Sequence, residues 1–515
     1  MSRPAVRGAL ALAVGMAALA SAAVVDAQSA LESSFTEARA VLARAMTAHG
    51  GIERIQNLSA AKLDLSGQIS TGIQGRTPAA VTHSESEGDF ETHVLIDLAK
   101  GRSRTTGEQR GSGGFVFPFS GIYTDGAISF LNAYPPQTNR TPNTDVDEGR
   151  EQTAGIGTRM AVPVLLKLAS QRLAGLRDEG KGTVDGRRTS RISFTVDKNT
   201  RVTLSIDQQT NRVVGLEQLA NDPVLGVDTT RWTYFGTQTV EGLVLPQRAT
   251  VNRRGITILD IRLTGAKFDD SAAIADADFA IDPSYKVFEA PGLEVAEVRP
   301  GLWEVANAGQ GNYRVQFVEL TDRLIAYDAP VSPAESRAVI AKLREKVPGK
   351  PISHVVLSHF HNDHIGGVKA FAEAGATIVT TADAEQVVRK IAGAQARTTS
   401  MVDQPVPALK FAFVAGKLEL GDASHRVTVF ETLGDPHVER LLVLVDGGSN
   451  AVMAADAYSD AMPFNATFDW MAQWIQNNQP ATEMLFGAHH PPVAMSTIFT
   501  RQAEFRATGG KQASR

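Results

Sequence analysis

Residues 358–367 read SHFHNDHIGG, directly behind the apolar run Val355-Val356-Leu357. Three histidines and one aspartate (His359, His361, Asp363 and His364) fall within six positions of a chain that has 11 histidines in 515 residues. The apolar run reads as a buried strand, and IGGVKAFAEAG after it reads as a helix. Loops that leave a strand for a helix are where α/β folds place their sites. Imidazole and carboxylate suit Zn²⁺ at about 2.0–2.2 Å, and four such groups so close can hold two ions. His359 and His361, two apart, can point the same way, while Asp363 and His364 serve a neighbouring site. The plainer alternative is a polar helix-start loop with Asp363 as its cap. Four ligand types in H-x-H-x-D-H order behind a strand are hard to obtain by accident.

Around this motif strands and helices alternate. YRVQFVEL, LIAYDA and ATIVTT read as strands. SPAESRAVIAKLREKVPG reads as a helix with Ser332 as cap, Pro333 first and Glu335 completing a capping box. That alternation argues an α/β layered unit. Upstream, from about residue 60 to 285, the period is two. RISFTVD buries Ile192, Phe194 and Val196, and RVTLSID buries Val202, Leu204 and Ile206, with DKNT between them as a hairpin turn. DQQTN is a further turn and ITILDIRLTG a further strand. One helix leads, EARAVLARAMTAHGG, with Ser34 as cap and Val41, Leu42, Ala45 and Met46 on one face. The Pro- and Gly-rich stretch DPSYKVFEAPGLEVAEVRPG contains the boundary, which divides residues 28–290 from 291–515.

A net charge of −5 lacks the basic footprint of a nucleic-acid binder. Residues 1–27 have a composition of their own. Arg3 and Arg7 precede an uncharged, Ala-rich stretch, and Val25 and Ala27 stand where a signal peptidase reads small residues. The expectation is a cleaved signal peptide with a mature start at Gln28. A membrane anchor is the alternative, but Ala and Gly make the stretch only weakly apolar, and no stable membrane span is expected. The chain has no cysteine, hence no disulfides and no cysteine-linked lipid. A bacterial periplasmic or secreted address fits best.

The motif resembles the signature of the metallo-β-lactamase superfamily, and the likeness extends from residue 295 to about 505. It implies an αββα sandwich preceded by the antiparallel β-rich unit and its leading helix. By that resemblance His437 in GDPHVERLLVLV is the third ligand of the first metal, Asp456 in VMAADAYSD the bridging carboxylate, and His489 in LFGAHHPP the last ligand. Asp328 in LIAYDAP matches a supporting aspartate. The pattern departs from the family at Asp435-Pro436-His437, where Gly-His is usual, and at the adjacent His489 and His490. Residues on an extended segment alternate sides, so His489 is expected to face the metals and His490 the pocket rim or solvent. A bridging aspartate with no cysteine resembles the glyoxalase-II-like and lactonase-like branches. The β-rich unit is similar in layout to lipoprotein-carrier domains, which makes a lipid or acyl ligand conceivable there.

The expected function is a hydrolase with two Zn²⁺ that activate a shared water against an ester, lactone, thioester or amide of a small-molecule substrate. Asp363 would bind metal, orient the nucleophile and pass its proton to the leaving group. Two rivals use the same residues differently: a mononuclear-iron oxygenase of sulfur compounds, and a lipid carrier with a structural metal site. Of the other histidines, His49, His83 and His93 read as structural or surface residues, His354 as supporting or structural, and His425 as a turn residue.

Overall fold

The computed structural model describes residues 31–70, 73–78, 88–111, 116–133, 136–222, 226–253, 255–269, 274–281, 286–287, 289, 291–311, 313–394, 407–423, 425–460 and 462–510. The expected signal peptide and His83 lie outside the described residues.

The period-two region forms one 14-stranded sheet. It is antiparallel throughout, except where Lys286–Val287 runs parallel to Pro136–Pro142 at one edge. Strands Arg187–Thr195 and Arg201–Asp207 pair as the expected hairpin. Asp197 shapes the turn by accepting from the amides of Asn199 and Thr200, both at 2.6 Å. Ile192, Phe194, Val202, Leu204 and Ile206 are buried. Helices over residues 31–48, Val146–Met160 and Val162–Gln171 cover the sheet. Val41, Leu42, Ala45 and Met46 share a core with Leu63, Val94, Leu165 and Leu204.

The leading helix does not begin at Ser34, because residues 31–33 are already helical. The Ser34 hydroxyl instead accepts from the amide of Asp178 at 3.0 Å, tying the helix to the last strand of the sheet.

From Glu294 onward the chain builds two further sheets, of seven and six strands. In the first, Leu324–Tyr327, Ile352–Val356, Thr377–Thr380 and Phe411–Phe413 run parallel. Alternation splits each strand between two layers. Ile325, Tyr327, Val356 and Val379 meet Val429, Leu442, Leu444 and Met453 of the other sheet. Ala326, Val355 and Ile378 face Val339, Leu343 and Phe371 of the outer helices, Pro333–Arg344 and Val368–Glu373. Helices Ala466–Asn478 and Met495–Ala507 cover the second sheet. The result is the four-layered αββα sandwich. Ser332 caps its helix as expected, accepting from the Glu335 amide at 3.2 Å. Glu335 does not return the bond to Ser332. Its carboxylate accepts from the amide of Gly309 at 2.8 Å, an orphan donor that attracts it more. No helix among the described residues is long and apolar enough to cross a membrane.

His49 pins the leading helix to the sheet. Its Nδ1 faces the Val244 carbonyl at 2.7 Å and its Nε2 accepts from the Val213 amide at 3.0 Å, so the neutral tautomer is required. Burial pushes its pKa down to about 4. Below pH 6.5 the unfolded chain takes up a proton that the fold refuses until about pH 4. Stability therefore falls as pH drops through that window, by on the order of 3 kcal/mol. Urea unfolding at pH 7 and pH 4.5 is expected to show this loss in the wild-type chain. His49→Ala should be less stable at pH 7 and lose less on acidification, and an equal loss in both would remove His49 as the source.

Candidate metal centre

Loops at the C-terminal ends of strands from both sheets converge on one point. The strand Ile352–Val356 runs out into His359 and His361, and the single helical turn Asn362–Ile365 carries Asp363 and His364. His437 stands between strands Val427–Leu433 and Arg440–Asp446. Asp456 sits on the short turn Ala455–Ala457 after Ala451–Met453, and His489 follows Met484–Phe486. Two bonds lock the sheets in this alignment: the Leu442 amide to the Ser358 carbonyl at 2.7 Å, and the Tyr327 hydroxyl to the Leu442 carbonyl at 2.8 Å.

All seven expected residues come together in two adjoining groups that share Asp456. One is His359, His361, His437 and Asp456, and the other is Asp363, His364, Asp456 and His489. Asp456 Oδ1 lies 3.0 Å from Nε2 of His364 and 3.0 Å from Nε2 of His489. Its Oδ2 lies 3.4 Å from Nε2 of His437 and 3.9 Å from Nε2 of His359. Ligand atoms arranged tetrahedrally around one Zn²⁺ stand roughly 3.3 Å apart, so the spacing suits a cation in each group.

Hydrogen bonding points the same way. Nε2 of His359 and Nδ1 of His361 are buried without a hydrogen-bond partner, which is unusual for buried polar atoms, and Nε2 of His364 faces the carboxylate of Asp456. The opposite nitrogen of each ring is engaged. His359 Nδ1 meets Ser358 Oγ at 2.9 Å, His361 Nε2 the Gly75 carbonyl at 2.8 Å, and His364 Nδ1 Asp328 Oδ2 at 2.9 Å. Metal-binding histidines are oriented in this fashion, one nitrogen held and the other presented. The donor set fits a metal.

The electrostatics agree. Burial holds His359 far below the ordinary imidazole range and pushes His361 down to about 3, so both offer a free lone pair. Burial alone would raise the carboxyls of Asp456 and Asp363. Nearby His364 and His489 outweigh it and keep both below the usual range, hence ionised. Burial disfavours charge on His364, but Asp456, Asp363 and Asp328 reverse this and raise its pKa, so a cation entering there would displace a proton.

The supporting loop is strained. Asp328 (φ 68°) and Val331 (φ 53°) adopt left-handed backbone, which a β-branched residue rarely tolerates. Asp328 thereby accepts from the Ser358 amide at 2.8 Å and from His364. Gly366 is required beside it, because a Cβ there would stand 2.3 Å from the Val331 carbonyl oxygen.

His490 departs from expectation. Its ring is 2% exposed and packs edge-on against Tyr458 at 5.2 Å instead of reaching the rim or solvent. The space comes from Gly487, whose absent Cβ would lie 2.1 Å from His490 Nε2. His354 sits on its strand beside Ser353, away from the two groups, and His425 bonds Asp446 at 3.0 Å near a turn. Sequence reasoning missed Tyr313, whose hydroxyl donates to Asp363 Oδ2 at 3.0 Å and whose ring abuts His489 at 4.5 Å. It also missed Gln74 and Gly75, which reach the site from the N-terminal sheet. No local spacing marks any of these three.

Residues 317–454 match the model of the metallo-beta-lactamase superfamily, a span that includes the H-x-H-x-D-H loop and His437. This part of the chain is a metallo-beta-lactamase superfamily domain. A 55-residue stretch is 48% identical to the linear primary-alkylsulfatase of Pseudomonas sp. (strain ATCC 19151), covering 11% of this chain and 10% of that protein's length. Among solved structures, the metallo-β-lactamase of Hirschia baltica is similar at 16% identity and TM-score 0.32, over 41% of this chain and 97% of its own. The sec-alkylsulfatase Pisa1 of Pseudomonas sp. is similar at 18% identity and TM-score 0.32, over 42% and 41% respectively.

If each group of ligands holds one ion, the two adjacent histidines should separate cleanly. His489→Ala is expected to leave about one ion per chain by elemental analysis, with a rate lower by about 10²-fold or more, as when an electrophile is lost. His490→Ala should keep both ions and cost about 1–3 kcal/mol of stability through the cavity it opens. Metal counts of two and one, in that order, would reverse the assignment.

Proposed function

We propose that the chain is a metal-dependent hydrolase that holds two Zn²⁺ and cleaves an ester-type bond in a small molecule. The observation that carries this reading is the shared carboxylate of Asp456, one oxygen toward each group of ligands. His359, His361 and His437 would hold the first ion, Asp363, His364 and His489 the second. Bound there, the ions would lower the pKa of a shared water towards 7 and polarise the bond under attack.

The rest falls to the chain itself. Asp363 is fixed at both oxygens, by Tyr313 and by Gln74, and stands where it can orient the nucleophile and hand a proton to the leaving group. Its half-buried, ionised state supplies the acceptor that such a transfer needs. Carboxylic esters, lactones, thioesters and amides are the substrate classes that this chemistry serves. The stretch shared with a linear primary-alkylsulfatase adds primary alkyl sulfates, and places them first among the compounds to try. The Ala-rich start supports export to the periplasm or beyond.

A second reading has its own observation. Phe119, Phe130, Leu131, Ile156, Trp232 and Leu259 line a cavity of about 540 Å³ against the N-terminal sheet. Phe117, Phe119 and Phe130 are exposed beside it at 47%, 38% and 44%. Its volume and these apolar side chains suit one alkyl or acyl chain, while Glu151, Gln152, Arg159 and Gln218 in the same lining suit a polar head. Native mass spectrometry of the purified chain should show a bound amphiphile that Phe130→Glu loses, and wild-type protein that takes up none would end the lipid reading.

For the hydrolase, protein purified without chelator is expected to contain two zinc ions and to turn over at least one member of an alkyl sulfate, ester, lactone and thioester panel. His361→Ala should lose metal and activity while circular dichroism stays unchanged. One iron per chain with oxygen uptake would overturn the hydrolase in favour of an oxygenase. Zinc-loaded protein inert across the panel would leave the site a structural role.

A further inference from the structure

The ligand loops of the sandwich are not held by the sandwich alone. Between strands Ala60–Ile69 and Gly88–Asp97 of the N-terminal sheet, the segment 73–78 crosses into the metal centre. Ile73, 7% exposed, joins the core that contains Phe360 and Ile365. Its carbonyl accepts from the Asn362 amide at 3.2 Å. Gln74 Nε2 donates to Asp363 Oδ1 at 2.7 Å and also to Asn362 Oδ1. The Gly75 carbonyl accepts from His361 Nε2 at 2.8 Å. Arg76 completes the crossing: its carbonyl accepts from the Glu439 amide at 2.9 Å, and its guanidinium donates to the Asp435 carbonyl at 3.2 Å. Four consecutive residues thus bind the loop of His359–His364 and the loop of His437 together.

We propose that this segment is part of the metal centre, with Gln74 as the positioning residue for Asp363. The inference rests on the two-ion reading above. Its logic is chemical. Asp363 must present one oxygen to the second ion in a fixed direction, and a carboxylate on a short helical turn is free to rotate. Tyr313 steadies Oδ2 and Gln74 steadies Oδ1, so the two bonds together fix the carboxylate plane. A neutral amide is the suitable donor. A lysine or arginine in its place would neutralise Asp363 and compete with the incoming cation, whereas the amide adds no charge. The Gly75 carbonyl does the same service for the first ion. By accepting the Nε2 proton it fixes the His361 tautomer and leaves Nδ1, buried and without a hydrogen-bond partner, as the donor to metal. Bonds of this kind around ligand residues set both orientation and basicity.

Packing and positioning make different forecasts for one substitution. Gln74→Met keeps the length and fills the space but removes the donor. The metal-free full-length chain would be titrated with Co²⁺ in competition with a chelator, resolving two dissociation constants. For Gln74→Met the weaker binding should appear only at the second ion, by about 10- to 100-fold, with the first within about threefold of wild type. Gln74→Ala should give the same split, and metal-free Gln74→Met should still unfold in one cooperative transition. Wild-type constants for both ions in Gln74→Met, or equal weakening of both, would overturn the role of Gln74 and leave the two-ion reading intact. A wild-type chain that takes up a single Co²⁺ would overturn the two-ion reading and this inference with it.

Discussion

Asp456 has imidazole nitrogens of His359, His364, His437 and His489 within 4 Å of its two oxygens, and a second carboxylate, Asp363, shares two of those rings. Gathering these groups away from water is costly. Two half-buried carboxylates repel, and each imidazole gives up hydration. The site stays assembled because His359, His361, His364 and Asp363 are each fixed by something behind them. Asp328 holds His364, Ser358 holds His359, and the backbone strain at Asp328 and Val331 is balanced by the bonds that loop makes. A cation in each group would replace this mutual compensation with direct neutralisation. The layering of the sandwich follows from the same demand, since the ligands come from strand ends of two different sheets and meet only if those sheets are locked in register.

How legible this was depends on distance along the chain. H-x-H-x-D-H could be read because its four groups are sequence neighbours behind a strand of unmistakable pattern. His437, Asp456 and His489 were found through the resemblance to the metallo-β-lactamase superfamily, which GDPHVERLLVLV, VMAADAYSD and LFGAHHPP carry. The hairpin at 187–207 was visible from alternation alone, with turns whose aspartates accept from the next amides. What could not be read were competitions between alternatives of similar local merit. Glu335 had two amides to choose from, and the better one was on another element. His490 was assigned to the rim because alternation allows it. The glycine that gives its ring an interior place acts through the absence of a side chain, which spacing does not register.

Gln74 and Gly75 lie beyond any sequence pattern for a simpler reason. They are separated from Asp363 and His361 by 289 and 286 positions. Nothing in GIQGR announces a partner, and the segment leaves an ordinary strand of a different sheet. Only the fold brings it to the ligands. The N-terminal sheet is therefore more than a neighbour of the sandwich: it supplies atoms that touch the residues expected to do the chemistry.

That dependence has a consequence for how the chain is built. A hydrogen bond from an amide to a buried carboxylate is strong only while water is kept away. The segment 73–78 provides both the bond and the exclusion, since Ile73 seals the core beside it. Loss of docking would expose Asp363 and His361 at once, weakening ligands of both proposed ions together. Metal affinity and the contact between the two β systems are then linked quantities, because whatever binds only the docked form stabilises docking by mass action. Ions would tighten the junction, and the junction would tighten the ions.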